Sequence, residues 1–182
     1  MKFCSQCGAA ISERVPAGDS RKRYVCDTCD TIHYQNPRVV TGCLVTWEDQ
    51  VLLCKRAIDP RAGLWTLPAG FLENGETTQE GAARETWEEA RARVAVSGLY
   101  TVFNLPHISQ IYMFYRAELL DGSFAVGEES TEVALFSESD IPWQELAFPV
   151  IEKTLELFFK DRNGKDFPVH SHDLIFKRGH RL

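Results

Sequence analysis

The stretch GFLENGETTQEGAARETWEEARA, Gly70 to Ala92, sets Gly70, Glu76, Arg84, Glu85, Glu88 and Glu89 at the spacing G-x5-E-x7-R-E-x-x-E-E. Read as a helix over Thr77–Arg91 at about 100° per residue, it puts Glu85, Glu88 and Glu89 on one face. Ala83, Thr86, Trp87 and Ala90 fall opposite, so one face is expected to be acidic and the other to pack. Like charges three and four apart cost roughly 0.2–0.5 kcal/mol per pair, and a divalent cation would relieve that crowding. Hard carboxylate oxygens favour Mg²⁺ or Mn²⁺. Taken alone, three Glu on a helix would read as a solvated face; the metal reading draws on the whole spacing.

Working outward, Arg38–Trp47 and Gln50–Arg56 read as two strands of a hairpin turning at Glu48 and Asp49. Leu64–Leu72 supplies a buried strand interrupted by Pro68 and Gly70. Beyond the acidic helix, Val94–Asn104, Gln110–Leu119 and Thr131–Phe136 read as further strands. Phe148, Ile151, Leu155, Phe158 and Phe159 recur at helical spacing within Ala147–Phe159, predicting a second amphipathic helix whose aromatics belong to the core. The sum is α/β: a mixed sheet with helices on its faces, an α/β/α sandwich spanning residues 37–162. Residues 163–182 form a polar C-terminal tail, and His170, His172, Asp173 and His180 in it stand at no metal-specific spacing.

Toward the N-terminus, Cys4-x-x-Cys7 and Cys26-x-x-Cys29 are paired knuckles whose thiolates can close tetrahedrally around structural Zn²⁺. Residues 1–36 therefore read as a small zinc ribbon, for which metal binding supplies most of the folding free energy. Four Cys satisfy Zn²⁺, leaving His33 as an ordinary loop residue. Cys43 and Cys54 lie in apolar runs and read as inert core residues. Nothing after Cys29 has the composition of a flexible linker, and the boundary falls near Tyr34–Pro37.

Composition bounds the partners. The 182 residues are 44% hydrophobic and 11% aromatic, enough for one sizeable core and a small appendage. A net charge of −6 argues against broad binding to a nucleic-acid backbone. The sequence shows neither a signal-peptide core nor a membrane-spanning run, which predicts a soluble, cytoplasmic protein with no membrane partner. Stacking on an adenine or flavin needs exposed rings, and Phe71 and Tyr34 are the candidates; Arg56 and Arg61 are candidates for phosphate contact.

The Gly70–Ala92 pattern resembles the Nudix box, the strand-loop-helix signature of hydrolases that cleave nucleoside diphosphates linked to another moiety. Two departures stand out. The family's Gly after the helix is Arg91, and its two bulky aliphatic positions are Thr86 and Ala92. The resemblance implies that Glu85, Glu88 and Glu89 hold the catalytic metal, that the Gly70 carbonyl adds a ligand, and that Arg84 pairs with Glu76 to brace the loop. A carboxylate outside the box completes such sites, and the match points to Glu132, with Glu129 next, as metal ligand or general base.

Almost the whole chain, from KFCSQCG through YQNP, LLCKR, GLWTLPAGFLE, RETWEEA, ESTE and LAFPVI, is similar to ribbon-bearing Nudix hydrolases typified by plant plastid FAD pyrophosphatase. A ribbon joined to this domain also looks like the related NADH pyrophosphatases. Their SQPWPFP array is absent, and Phe103–Ile108 stands in its place. The resemblance implies a small nucleotide substrate, ADP-ribose or FAD, split to AMP plus ribose 5-phosphate or FMN. It also implies a possible homodimer. The alternatives are an NADH or NAD-capped RNA pyrophosphatase, and a decayed nucleotide-binding module marked by Arg91.

Overall fold

A computed structural model describes residues 1–164 and 166–175. The chain divides into two compact units, Met1–Pro37 and Arg38–Leu182. The first is a three-stranded antiparallel sheet of β1 (Ile11–Arg14), β2 (Arg23–Cys26) and β3 (Ile32–His33), in that order. Its buried apolar residues are few: Cys4, Pro16, Val25 and Cys26. So small a core cannot offset the entropy of ordering the unit without a cross-link or metal.

The second unit is built on an eight-stranded mixed sheet. Its strands are β4 (Arg38–Trp47), β5 (Gln50–Arg56), the short β6 (Trp65–Thr66) and β7 (Ala69–Phe71), then β8 (Val94–Leu105), β9 (Gln110–Leu119), β10 (Ser130–Phe136) and β11 (His170–Asp173). Helix α1 (Thr78–Ala90) lies between β7 and β8, and α2 (Pro149–Gly164) precedes β11. The strand order is β10-β5-β4-β9-β8-β11, with β6 paired to β5 and β7 to β4. The β4–β9 and β8–β11 pairs are parallel; the rest are antiparallel.

Side chains alternate across a strand, and here the alternation sorts them between two helices. Leu44, Val51 and Leu53 join the cluster that buries Val150, Ile151, Leu155, Phe158 and Phe159 of α2. Their neighbours Cys43, Val45, Leu52 and Cys54 join the cluster containing Ala82 and Ala90 of α1. One helix therefore covers each face, the sandwich expected from the hydrophobic pattern. Burial pushes the Cys43 thiol up to about 11 and raises that of Cys54 further, consistent with unreactive core thiols.

Helix α1 starts on Thr77, whose hydroxyl accepts from the Glu80 N–H while the Glu80 carboxylate accepts from the Thr77 N–H, a reciprocal cap. The expected division of its faces is corrected. Glu85 and Glu89 are buried along with Gly81, Ala82, Thr86 and Ala90, whereas Trp87 is 42% exposed. The packing stripe is made of the small residues, and the two carboxylates lie inside it rather than opposite. Arg91 keeps the left-handed conformation expected of the missing Gly, at φ 48° and ψ 27°, and its N–H donates to the Trp87 carbonyl. Its guanidinium lies over the Trp87 ring and 3.7 Å from Glu128.

Residues 163–182 are expected to be a polar tail without regular structure. In the structure α2 runs to Gly164, and His170–Asp173 adds a parallel edge strand to β8. A four-residue parallel strand rich in His, Ser and Asp carries no apolar alternation from which to read it. His170 Nε2–H donates to the Asp161 carboxylate at 2.6 Å, and the same oxygen accepts from the Tyr100 hydroxyl. His180 lies outside the described residues.

Candidate functional site

Part-way along, β4 changes neighbour, pairing with β5 at Thr46–Trp47 and with β7 at Val40–Gly42. A cavity of about 950 Å³ is lined from both of those neighbouring strands, by Arg56 of β5 and Gly70 and Phe71 of β7. Glu85, Glu88 and Glu89 of α1 and Glu129 also line it. Its volume is that of a site for a nucleotide-sized molecule.

Arg84 organises the acidic wall. Its guanidinium reaches Glu76 and Glu85 at 2.8 Å and Glu88 at 3.0 Å, and it donates to the Phe71 carbonyl at 3.1 Å. Glu76 also accepts from the Glu73 N–H, closing the loop before the helix. Arg84 first, and that N–H second, hold the Glu76 carboxyl down to about 2. The loop and helix are thereby tied by charge-assisted bonds.

Glu89 is different. Its Oε2 is buried without a hydrogen-bond partner, and burial, then the nearby Glu85 charge, push the carboxyl up to about 8. Burial likewise raises Glu85, with Arg84 opposing. A buried, unpartnered carboxylate oxygen is costly, and a hard divalent cation among Glu85, Glu88 and Glu89 is the group such a donor set fits. Gly70 lies against this cluster: a Cβ there would displace the Glu85 carboxylate, so Gly keeps that carboxylate in place beside β7.

The acidic segment after Ala125 docks on the end of α1. Ala125 N–H donates to the Ala90 carbonyl at 2.8 Å and Gly127 N–H to the Glu89 carbonyl at 3.0 Å. A Cβ on Gly127 would strike the Glu88 carbonyl. This docking brings Glu129 to the cavity. Glu132, on β10, pairs with Lys55 at 3.5 Å and is not among the cavity-lining residues; Glu128 is 92% exposed in its side chain.

Of the ring and arginine candidates, Phe71 is 46% exposed with the Arg38 guanidinium 4.5 Å from its centroid. Arg56 donates to the Pro60 carbonyl and lies over Phe148, and Arg61 is also on the cavity. Tyr34 belongs to the first unit, 61% exposed with Arg23 over its ring. Arg38, Gln110, Tyr112 and Leu174 line the cavity without having been singled out in the sequence. Period-2 alternation puts Arg38 and Val40 on one side of β4 and Gln110 and Tyr112 on one side of β9, but only sheet register shows that both sides face the cavity.

In the first unit the four sulfurs of Cys4, Cys7, Cys26 and Cys29 lie within 4.8 Å of one another. Cys4 and Cys29 stand at 3.6 Å, Cys7 and Cys26 at 3.5 Å. A tetrahedron with Zn–S of about 2.3 Å has sulfur separations of about 3.8 Å, so the cluster is metal-sized. The Thr31 hydroxyl, then its N–H, draw the Cys29 thiol down, while, against the Ala9 N–H, bonds from Cys26 and Cys29 push Cys7 up: the crowded thiols ionise one at a time unless a cation joins them. His33 approaches Cys4 Sγ at 3.3 Å.

Comparison with known proteins agrees with this geometry. Residues 2–35 match the family model described as Nudix N-terminal, a zinc ribbon, and residues 36–158 match the NUDIX domain. An ADP-ribose pyrophosphatase of Methanocaldococcus jannaschii is 29% identical over 72% of this chain and 78% of its own length. The NAD-capped RNA hydrolase NudC of Pseudomonas aeruginosa is 28% identical over 92% of this chain; the chain spans 59% of that relative's length. A crystal structure of a NUDIX hydrolase from Nitrosomonas europaea is 55% identical, with a TM-score of 0.93 over 96% of this chain and 99% of that one. The acidic helix, the glycine against it and the thiol cluster thus sit in a known frame, and the chain belongs to the Nudix hydrolase family, with a zinc-ribbon domain ahead of its Nudix domain.

Proposed function

We propose that this protein is a Mg²⁺- or Mn²⁺-dependent pyrophosphatase that splits the diphosphate of ADP-ribose or FAD, with Zn²⁺ held structurally by Cys4, Cys7, Cys26 and Cys29. The observation that carries the reading is the unpartnered, buried Glu89 Oε2 beside Glu85, on a cavity that also holds arginines and an exposed ring. A divalent cation bound by Glu85, Glu88, Glu89 and the Gly70 carbonyl would neutralise diphosphate oxygens and acidify a water.

The chain's own groups supply the rest. Arg56 and Arg61 bind the diphosphate, and Phe71 offers a ring on which a base stacks. Glu129, on the cavity beside Glu85 and Glu89, takes the proton from the attacking water. The water oxygen bonds to one phosphorus as the bridging P–O bond breaks, leaving AMP and either ribose 5-phosphate or FMN. Arg84 holds Glu76, Glu85 and Glu88 in register and does not touch the substrate.

Steady-state hydrolysis of FAD, ADP-ribose, NADH and NAD⁺ side by side, with Mg²⁺ or Mn²⁺ and products separated by chromatography, tests this. AMP released faster from FAD or ADP-ribose than from NADH is the expected profile. Preference for NADH or NAD⁺ would move the reading to the activity named for the NudC relatives. No metal-dependent turnover of any of the four would make it a nucleotide-binding module.

A further inference from the structure

The family model ends at residue 158, yet the chain folds a further segment onto the same sheet. Phe71 pairs with Val40, Val40 with Tyr112, Tyr112 with Phe103, and Phe103 with His172. Two residues along, Arg38 pairs with Gln110 and Gln110 with Leu105. Leu174 follows β11 on that row, its N–H donating to the Asn104 carbonyl at 2.9 Å. Rows two residues apart face the same side of a sheet. Accordingly Phe71, Arg38, Tyr112, Leu105 and Leu174 all line the one cavity. From β7 to β11 is four strand spacings, roughly 19 Å.

The two ends of that floor differ in chemistry. At one end the Phe71 carbonyl accepts from Arg84, which also holds Glu85 and Glu88; at the other Leu174 stands beside Leu105 by register and packs on the apolar cluster that contains Leu105 and Ile151. The segment is also firmly held. Phe167 stacks on Phe158 at 5.9 Å and has the Arg116 guanidinium 3.7 Å from its ring centroid, His172 stacks on Phe103 at 5.8 Å, and Asn104 donates to Asp173 at 2.9 Å. So many anchors on a short polar strand give Leu174 a defined position at the apolar end of the cavity.

We propose that Leu174, placed by β11, is a specificity-determining residue: it packs on the substrate moiety farthest from Glu85 and Glu89 and selects a flat apolar ring there over a bare sugar phosphate. The proposal rests on the pyrophosphatase reading for its substrates but not for its binding test. A flat ring displaces water from Leu174, Leu105 and Ile108, a gain that ribose 5-phosphate does not have.

The experiment compares full-length wild type with Leu174→Ser, using the ratio of kcat/KM for FAD to kcat/KM for ADP-ribose. The ratio is expected to fall about tenfold, through KM for FAD, while Leu174→Met and the exposed neighbour change Ile175→Ser keep it within about twofold. Parallel losses on both substrates, or an unchanged ratio, overturn the proposal. If the wild type hydrolyses neither substrate, the pyrophosphatase reading fails by itself, and FMN binding followed by flavin fluorescence decides the present one. Leu174→Ser must then weaken FMN about tenfold; equal affinities, or no FMN binding by the wild type, overturn it.

Discussion

The two donor clusters of this protein, four thiols in the first unit and a stripe of carboxylates in the second, solve opposite problems. The ribbon buries only Cys4, Pro16, Val25 and Cys26, two of them cysteines, so its metal site and its fold are one thing. The carboxylates sit on a helix already packed by Ala82, Thr86 and Ala90 and capped at Thr77. There the scaffold has a core of its own, and Arg84 pairs with Glu76, Glu85 and Glu88. A metal that builds a domain and a metal that a domain merely holds should respond differently to the same perturbations.

The largest expected effect is on activity. Glu89→Gln should lower kcat by about 10³-fold while leaving the melting temperature of the second unit unchanged or higher, because the amide is nearly isosteric and carries no charge into a site where burial already disfavours the carboxylate. Steady-state rates with calorimetry check it, and a variant of near-native activity would sink the carboxylate assignment. Next, Cys26→Ser or a zinc-selective chelator should unfold the first unit and leave the second folded, read as loss of amide protection confined to residues 1–37. Protection that survives chelation would show the ribbon to be self-supporting and erase the contrast.

A smaller effect follows from Glu76. Its folded carboxyl is held near 2, below its ordinary 4.5. A depressed acid contributes stability that is present above 4.5 and is lost as pH falls through about 2. The stability advantage of wild type over Glu76→Gln should therefore shrink between pH 4.5 and 2, measured by denaturant titration. A gap that stays constant with pH would mean that the Arg84 pairing is not what holds the loop. The smallest effect concerns Arg91. Replacing it by Gly relieves a left-handed backbone costing about 1 kcal/mol, at the loss of a weak pair with exposed Glu128. A small rise in the denaturation midpoint is expected, and a fall would show that the Trp87 and Glu128 contacts outweigh the strain.

Legibility in the sequence followed locality. The CxxC knuckles and the box spacing are short-range patterns, so Cys4, Cys7, Cys26, Cys29, Glu76, Arg84, Glu85, Glu88 and Glu89 were all named from them. Alternating and helical hydrophobic runs likewise predicted β4, β5, β8, β9 and β10 and both helices. The burial of α1 was misread because a stripe of Gly, Ala and Thr is weakly hydrophobic, while Trp87 draws the eye and sits in solvent. Whether Glu129 or Glu132 meets the cavity depends on the docking of Gly127 onto the end of α1, a contact no local pattern encodes.

What the sequence determined by itself, then, is the kind of chemistry: soft thiolates in knuckles and hard carboxylates on one turn-spaced helix can each be read from residue type and interval. What only the tertiary structure decided is which carboxylate oxygen is left buried without a partner, which acid beyond the helix joins the cavity, and that Leu174, just after a polar edge strand, lines it as well. Those depend on sheet register and on the approach of segments tens of residues apart, where one residue of shift turns a side chain to the opposite face.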